Sequence, residues 1–509
     1  MNLTREFINQ AGKKIEKAIL PAMEKIYLHD REVFDDSFCP GLKESEKIVS
    51  YFDYLPCGIS VLAKMKADGN NRAHKLLEKI KNNIAYYKKK VFMKYEPQSG
   101  NIWKLPLRRL IFHIALAYRH MESILSENEK QWFRDLIEEE IPLAIKYNRD
   151  FFAGANDVHA NNHTAIFMQG IYHCGKVFDH PEWTKQMGEF AERLLASGHK
   201  DGYFEEHAND DREGGPSLVY SRLTAGALFD VLDGKKNHKE RFLKCGEFYR
   251  RFFNYNYDFI PIADERTNVN KYFLDYGLAL HSLSPEGRYY LVEAINSADM
   301  DKMHSESLAV LYYELGLMEE GEGALPENRQ EGNSRLTLPL GVVRKNGFTA
   351  GISALKALNR MYPCNDYALD QQNMIYLSHN KAGVISPGIK SKNDPLFSTF
   401  RVGDDAYTAK TGELEMGEGW AEAHLHYETF AIKMRWDIGQ TAVLTCTEES
   451  ARHVTTSILV ADEKHLNSNV PFEIKMLHGF SPYTQANKSD QHKALEFEWT
   501  GELKVEFFI

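Results

Sequence analysis

The 509-residue chain is poor in cysteine and shows none of its usual pairing patterns. Cys39, Cys57, Cys174, Cys245, Cys364 and Cys446 are scattered, and no C-x-x-C occurs. That excludes a zinc ribbon or a dithiol redox site and leaves most of them as buried, reduced small hydrophobes. No apolar run approaches the roughly 18 residues a membrane-spanning helix requires, so no membrane partner is expected. Positive charge is not in excess either: 62 Lys+Arg stand against 72 Asp+Glu, a formal net charge of −10. This argues against a nucleic-acid partner, while a locally basic cleft for an anionic ligand remains compatible with it. No P-loop, G-x-G-x-x-G or G-x-S-x-G element is present, which argues against nucleotide, dinucleotide and α/β-hydrolase chemistry. The absence of a repeat of fixed period argues against a regular solenoid. The N-terminus, Met1 to Gln10, has no continuous apolar core and reads as an amphipathic helix rather than a signal peptide. The expectation is a cytoplasmic protein, or a periplasmic or secreted one if a leader has been removed.

What is present is the composition of a globular protein, 43% hydrophobic and 26% charged. At roughly 150 residues per domain the length suggests about three units or two large ones. Up to about Gly323 the apolar residues recur at helical spacing, as in Ile8, Ala11, Ile15 and Ile19, or Leu110, Ile111, Ile114 and Tyr118. Further helical stretches are expected near 70–91, 129–147, 163–178, 183–198, 216–232, 238–253, 270–282, 286–297 and 303–318. Breaks such as His180-Pro181 and Asp233-Gly234 separate them, which suggests stacked helical hairpins. After Gly321-Glu322-Gly323 a period of two takes over. Phe430, Ile432, Met434 and Trp436 alternate with polar or small residues, and so do Leu495, Phe497 and Trp499, then Leu503, Val505 and Phe507. The last two runs, joined at Thr500-Gly501, read as a terminal β-hairpin. The fold class is therefore α+β multidomain, with a helical domain over 1–325 and an antiparallel β domain over 326–509.

Unusual polar residues are densest between 150 and 225. Asn161-Asn162-His163 stands immediately before the apolar run Ala165-Ile166-Phe167-Met168. Two amides and an imidazole at the positive end of a helix dipole suit a carboxylate; the plainer alternative is that Asn161 or Asn162 caps the helix. Forty residues on, Asp201-Gly202 opens a loop through Glu205, Glu206, His207, Arg212 and Gly214-Gly215-Pro216, and Tyr220 and Arg222 fall in the first turns of the next helix. Read singly, Tyr220 is a half-buried aromatic and His207 a surface histidine.

Together, Asn161-Asn162-His163 at a helix start, the Asp-Gly loop and the tyrosine beyond it resemble the heparinase II/III-like polysaccharide lyases. The oligoalginate lyases of that group look closest, with their Asn-Asn-His-Gly stretch, although this chain has Thr164 in the last position. The resemblance implies an incomplete (α/α)5-6 toroid followed by an antiparallel β-sandwich-like domain, the same order as read above. It also implies β-elimination beside a uronate carboxylate. Asn162 and His163 would then neutralise that carboxylate, with Asn161 orienting them. Tyr220 would remove the C5 proton and return one to the departing oxygen, and Arg212 or Arg222 would lower its pKa. His207 is the alternative base or second proton carrier. The scheme needs no metal and no cofactor, and its partner is an anionic poly- or oligosaccharide.

Outside this segment, Arg108-Arg109 suits a bidentate grip on substrate carboxylates or a plain solvated helix face. His424 and His426 alternate onto one strand face with Trp420 and Glu422. That face fits a reach toward substrate by His424, metal ligation, or solvation with chance histidines. Two other functions stay open at this level. Asp157, Asp201, Glu205 and Glu206 supply carboxylates for an inverting glycoside hydrolase, and a non-catalytic carbohydrate-binding protein needs neither set.

Overall fold

The computed structural model describes residues 1–27, 55–87, 109–147, 162–205, 216, 218–263, 274–355, 375–387, 399–403, 405–406, 409–461, 463–478 and 491–509. Eleven α-helices lie among them: α1 (Arg5–Tyr27), α2 (Ile59–Ala67), α3 (Asn71–Tyr87), α4 (Leu110–Met121), α5 (Glu127–Tyr147), α6 (Asn162–Val177), α7 (Pro181–Ala196), α8 (Leu218–Val231), α9 (Lys239–Arg251), α10 (Pro285–Ser297) and α11 (Ser305–Leu315). None is long and apolar enough to cross a membrane. The chain divides into two compact units, one of residues 1–204, 220–246 and 273–324, the other of 205–219, 247–272 and 325–509.

In the first unit the helix starts are written locally. Ser126 and Glu129 form a reciprocal capping box at α5, the serine amide donating to Glu129 Oε2 at 2.9 Å. Ser284 Oγ accepts from Gly287 N at 3.0 Å, with Pro285 at the first position of α10. Pro181 opens α7, and His180 stacks on Trp183 at 3.9 Å between ring centres. The apolar stripe of α1 (Ile8, Ala11, Ile15, Ala18 and Ile19) is buried, as is that of α4. Neighbouring helices pack in the succession α1–α11, α2–α4, α4–α6 and α6–α7, so α6 is held from two sides. One expected helix differs. The apolar period near 270–282 forms a short 3-10 turn over Ala279–Leu283, because Gly277 adopts φ +81, a left-handed conformation that ends helical continuity.

In the second unit β1 (Gly332–Arg335), β2 (Leu340–Lys345), β3 (Phe348–Ser353), β4 (Tyr376–His379) and β5 (Gly383–Ser386) form an antiparallel meander in chain order. The remaining strands are β6 (Phe400–Val402), β7 (Asp405–Ala406), β8 (Thr411–Gly417), β9 (Trp420–His426), β10 (Ala431–Ile438), β11 (Ala442–Glu448), β12 (Val454–Val460), β13 (Leu466–Ser468), β14 (Phe472–His478), β15 (Gln491–Trp499) and β16 (Glu502–Phe507). They form two sheets, ordered β13-β16-β11-β10-β9-β8 and β14-β15-β12-β6-β7. The expected terminal hairpin is therefore corrected: β15 pairs with β12 and β14, whereas β16 pairs with β11 and β13. Leu495, Phe497, Trp499, Leu503, Val505 and Phe507 all enter one core, together with Trp436 and Met434. Alternation states which face is buried and is silent on the partner, and Gly501 at φ +79 lets the chain cross from one sheet to the other.

Candidate active site

Helix α6 begins at Asn162, whose side chain is 1% exposed. Its Oδ1 has no hydrogen-bond partner among the described residues, so this amide does not cap its own helix. His163 is the next residue of α6; its side chain, and the whole of Asn161, His207, Arg212 and Arg108, lie outside the described residues. The Asp-Gly loop is a tight turn. His199 N donates to Tyr203 O at 2.8 Å, the two rings stack at 4.2 Å, and the Asp201 amide donates to His199 Nδ1 at 3.1 Å. Gly202 is obligatory there: its φ is +98, and a Cβ would stand 2.3 Å from the Lys244 carbonyl oxygen. Phe204 N then donates to Ser221 Oγ at 2.9 Å, which ties the loop to the first turn of α8.

Tyr220, in that same turn, is half-buried and packs against a cluster of Ile166, Leu223, Tyr276 and Val310. Ile166 lies one turn into α6 from Asn162, so the phenol and the start of α6 adjoin a common apolar floor. Arg222 is 1% exposed, and its Nη1 lies 2.6 Å from Asp275 Oδ1. Burial raises the Asp275 carboxyl, and the Arg222 and Arg109 guanidiniums pull it back only in part.

Next to the Tyr220 floor, Arg109 belongs to a buried set of charges whose other members the sequence pattern did not single out. Arg109, 9% exposed, forms an ion pair with Glu306 and lies 5.6 Å from the centre of the Tyr276 ring. The Tyr276 hydroxyl donates to Glu306 Oε1 at 3.3 Å. Burial, with Glu306 beside it, drives that phenol well above its ordinary pKa. Glu314 accepts from Gly277 N at 2.6 Å and Ala279 N at 2.7 Å, and burial pushes its carboxyl up to about 8. His113 Nδ1 is 3.0 Å from Ser60 Oγ, and burial with Arg109 nearby lowers the imidazole to about 3, which keeps it neutral. The available signal was phase: Glu306, Val310 and Glu314 recur every four residues in α11, so two acids share the buried stripe with a core valine. Arg109 is accordingly a buried, paired cation and not part of a solvated face.

A second network binds α6, α8 and α11 to one another. Asp230 accepts from Gln169 Nε2 at 2.7 Å, His173 Nε2 at 2.8 Å and the Tyr313 hydroxyl at 2.7 Å. Burial pushes the Asp230 carboxyl up, but His173, Gln169 and Tyr313 outweigh it and hold the group below its ordinary pKa.

In the β unit His424 Nε2 lies 2.7 Å from Glu422 Oε1, and Arg435 stacks on Trp420 at 4.4 Å. No group of three or more metal-ligating side chains occurs among the described residues. Cys57, Cys174, Cys245 and Cys446 are buried and form no disulfide among the described residues.

No protein-family model and no curated protein matches the sequence. Solved structures do match in fold. A crystal structure of heparinase III aligns with a TM-score of 0.58 at 13% identity, covering 97% of this chain and 85% of that one. The chondroitin AC lyase of Streptomyces coelicolor A3, solved with chondroitin sulphate, aligns at 0.57 and 14%, covering 97% and 82%. The heparan sulfate lyase of Pedobacter heparinus aligns at 0.50 and 9%, covering 97% and 82%. The fold thus resembles that of polysaccharide lyases, with helical hairpins of the toroid type followed by antiparallel sheets.

Proposed function

We propose that this protein is a polysaccharide lyase that cleaves a uronate-containing poly- or oligosaccharide by β-elimination. The observation that supports it most is the shared floor of Tyr220 and the start of α6, where the buried Asn162 amide is not used as a cap. Asn162 and His163 hydrogen-bond the uronate carboxylate and the charge that develops on it, which acidifies C5. Tyr220 as phenolate takes the C5 proton. The electrons of the broken C5–H bond form the C4–C5 double bond as the C4–O4 bond breaks, and the phenol returns its proton to O4. Asn161 orients the amide pair, and Arg212 and Arg108 contribute cations to the substrate surface. Arg222 acts indirectly, through Asp275, because its charge is already paired. His207 is the reserve proton carrier. The substrate partner is an anionic glycan.

The test is a panel of glucuronans, alginates, glycosaminoglycans and rhamnose–glucuronate glycans read by near-ultraviolet absorbance. The expected result is a rising absorbance from a 4,5-unsaturated uronyl end on at least one of them, abolished by Tyr220→Phe. A flat trace on the whole panel, or full turnover by Tyr220→Phe, overturns the reading.

A further inference from the structure

The turn 275–279 is anchored through four of its five residues. Asp275 pairs with Arg222 of α8 at 2.6 Å, the Tyr276 hydroxyl reaches Glu306 of α11, and the amides of Gly277 and Ala279 both donate to Glu314 of α11. It also touches α8 backbone to backbone. A Cβ on Gly226 would stand 2.6 Å from Gly277 N, and one on Gly277 would stand 2.9 Å from the Arg222 carbonyl oxygen. No side chain fits between helix and turn, so a displacement of either moves the other. The ring of Tyr276 is in turn part of the floor against which Tyr220 packs.

A carboxylate is a costly way to hold such a turn. An acid removed from water is stabilised here by two backbone N–H groups, with Asp230 and Asp275 opposing its charge. An apolar residue of similar volume would avoid the cost of burying the acid but would leave the Gly277 and Ala279 amides without an acceptor. What the acid supplies is geometry, since two acceptor oxygens fix two donors of one turn, at positions 277 and 279.

We propose that Glu314 is a positioning residue: by clamping the turn 275–279 against α8 it sets the position of the Tyr220 phenol. This rests on the reading of Tyr220 as the proton carrier. Glu314 does not meet substrate, and its effect passes through Tyr276 and the α8 backbone.

Two readouts in Glu314→Gln test it. The carboxamide keeps the volume but has one acceptor oxygen, and its NH2 group faces a backbone N–H, so one of the two anchors is lost. On a glycan that the wild type cleaves, kcat is expected to fall about ten- to hundredfold with KM unchanged, as for one buried N–H left without its acceptor. The second readout needs no turnover. In protein labelled with 13C at the tyrosine rings, the resonance that disappears in Tyr220→Phe is expected to shift in Glu314→Gln. An unmoved resonance overturns the proposal, and so does an unchanged kcat or a rise in KM alone. If the wild type cleaves no uronate glycan, the function fails while the resonance still decides whether Glu314 positions Tyr220. Should Glu314→Gln not fold, Asp275→Asn, which keeps volume and an acceptor for Arg222, is read in the same two ways.

Discussion

Removal of the Asp230 carboxylate is the sharpest stability test of the helical unit. The change Asp230→Ala deletes three hydrogen bonds at 2.7–2.8 Å and leaves Gln169, His173 and Tyr313 facing a cavity. Each stranded donor costs about 1–3 kcal/mol, but the three are coupled and Tyr313 retains a contact with His173 at 3.3 Å. A total of about 3–4 kcal/mol follows. Because Asp230 joins α6, α8 and α11, the loss falls on all three. Native-state hydrogen exchange is the assay, since it resolves local opening where a single unfolding midpoint for two units does not. Amides of the three helices are expected to exchange about 10²–10³-fold faster, at about 1.4 kcal/mol per decade. Asp230→Asn, which keeps one acceptor, should lie between wild type and alanine. The folded carboxyl is held below its ordinary value, so its stabilisation is present above the unfolded pKa, near 3.9, and is lost as pH falls through the folded one. The alanine variant should therefore lack that part of the acid transition. Protection in α6 and α11 unchanged to within a factor of about five would refute the network's role.

Other outcomes follow from the same packing. Arg109→Met or Glu306→Leu alone should each cost about 3–5 kcal/mol by taking a buried charge's ion-pair partner away, while the double variant should recover most of it; equal losses in single and double variants would contradict this. Gly287→Ala places a Cβ 1.8 Å from the His281 carbonyl oxygen, and it should lower the melting temperature or abolish folding, whereas Gly188→Ala, with open space around it, should not. Burial pushes Glu314 up to about 8, so its folded form holds a proton that the unfolded chain releases near 4.5. The helical unit should then lose stability as pH rises between those values, and Glu314→Gln should flatten that slope in melts recorded across the range.

Most helices and strands were legible because burial writes a period into the sequence. The break at His180-Pro181 marked the start of α7, the helical period near 286–297 marked α10, and the alternation from Phe430 to Trp436 marked β10. What stayed hidden depends on contacts distant along the chain. No local pattern says that β16 pairs with β11 instead of β15, since both pairings bury the same faces. The buried pair of Arg109 and Glu306 is 197 residues apart, and each residue alone looks like a solvated helix charge. Polar density drew the expectation to Asn162, Tyr220 and Arg222, whereas Asp275, Tyr276 and Glu314 were overlooked because their contacts depend on backbone donors and on a glycine at positive φ.

The central claim is elimination without water, and an isotope measurement tests it most directly. A cleaved glycan is digested in water enriched in heavy oxygen, and the new chain ends are weighed by mass spectrometry. Elimination predicts unlabelled ends whose masses sum to that of the parent, one of them unsaturated, with no product from Tyr220→Phe. Two saturated ends whose masses sum to the parent plus one heavy water would mean hydrolysis and would contradict the account.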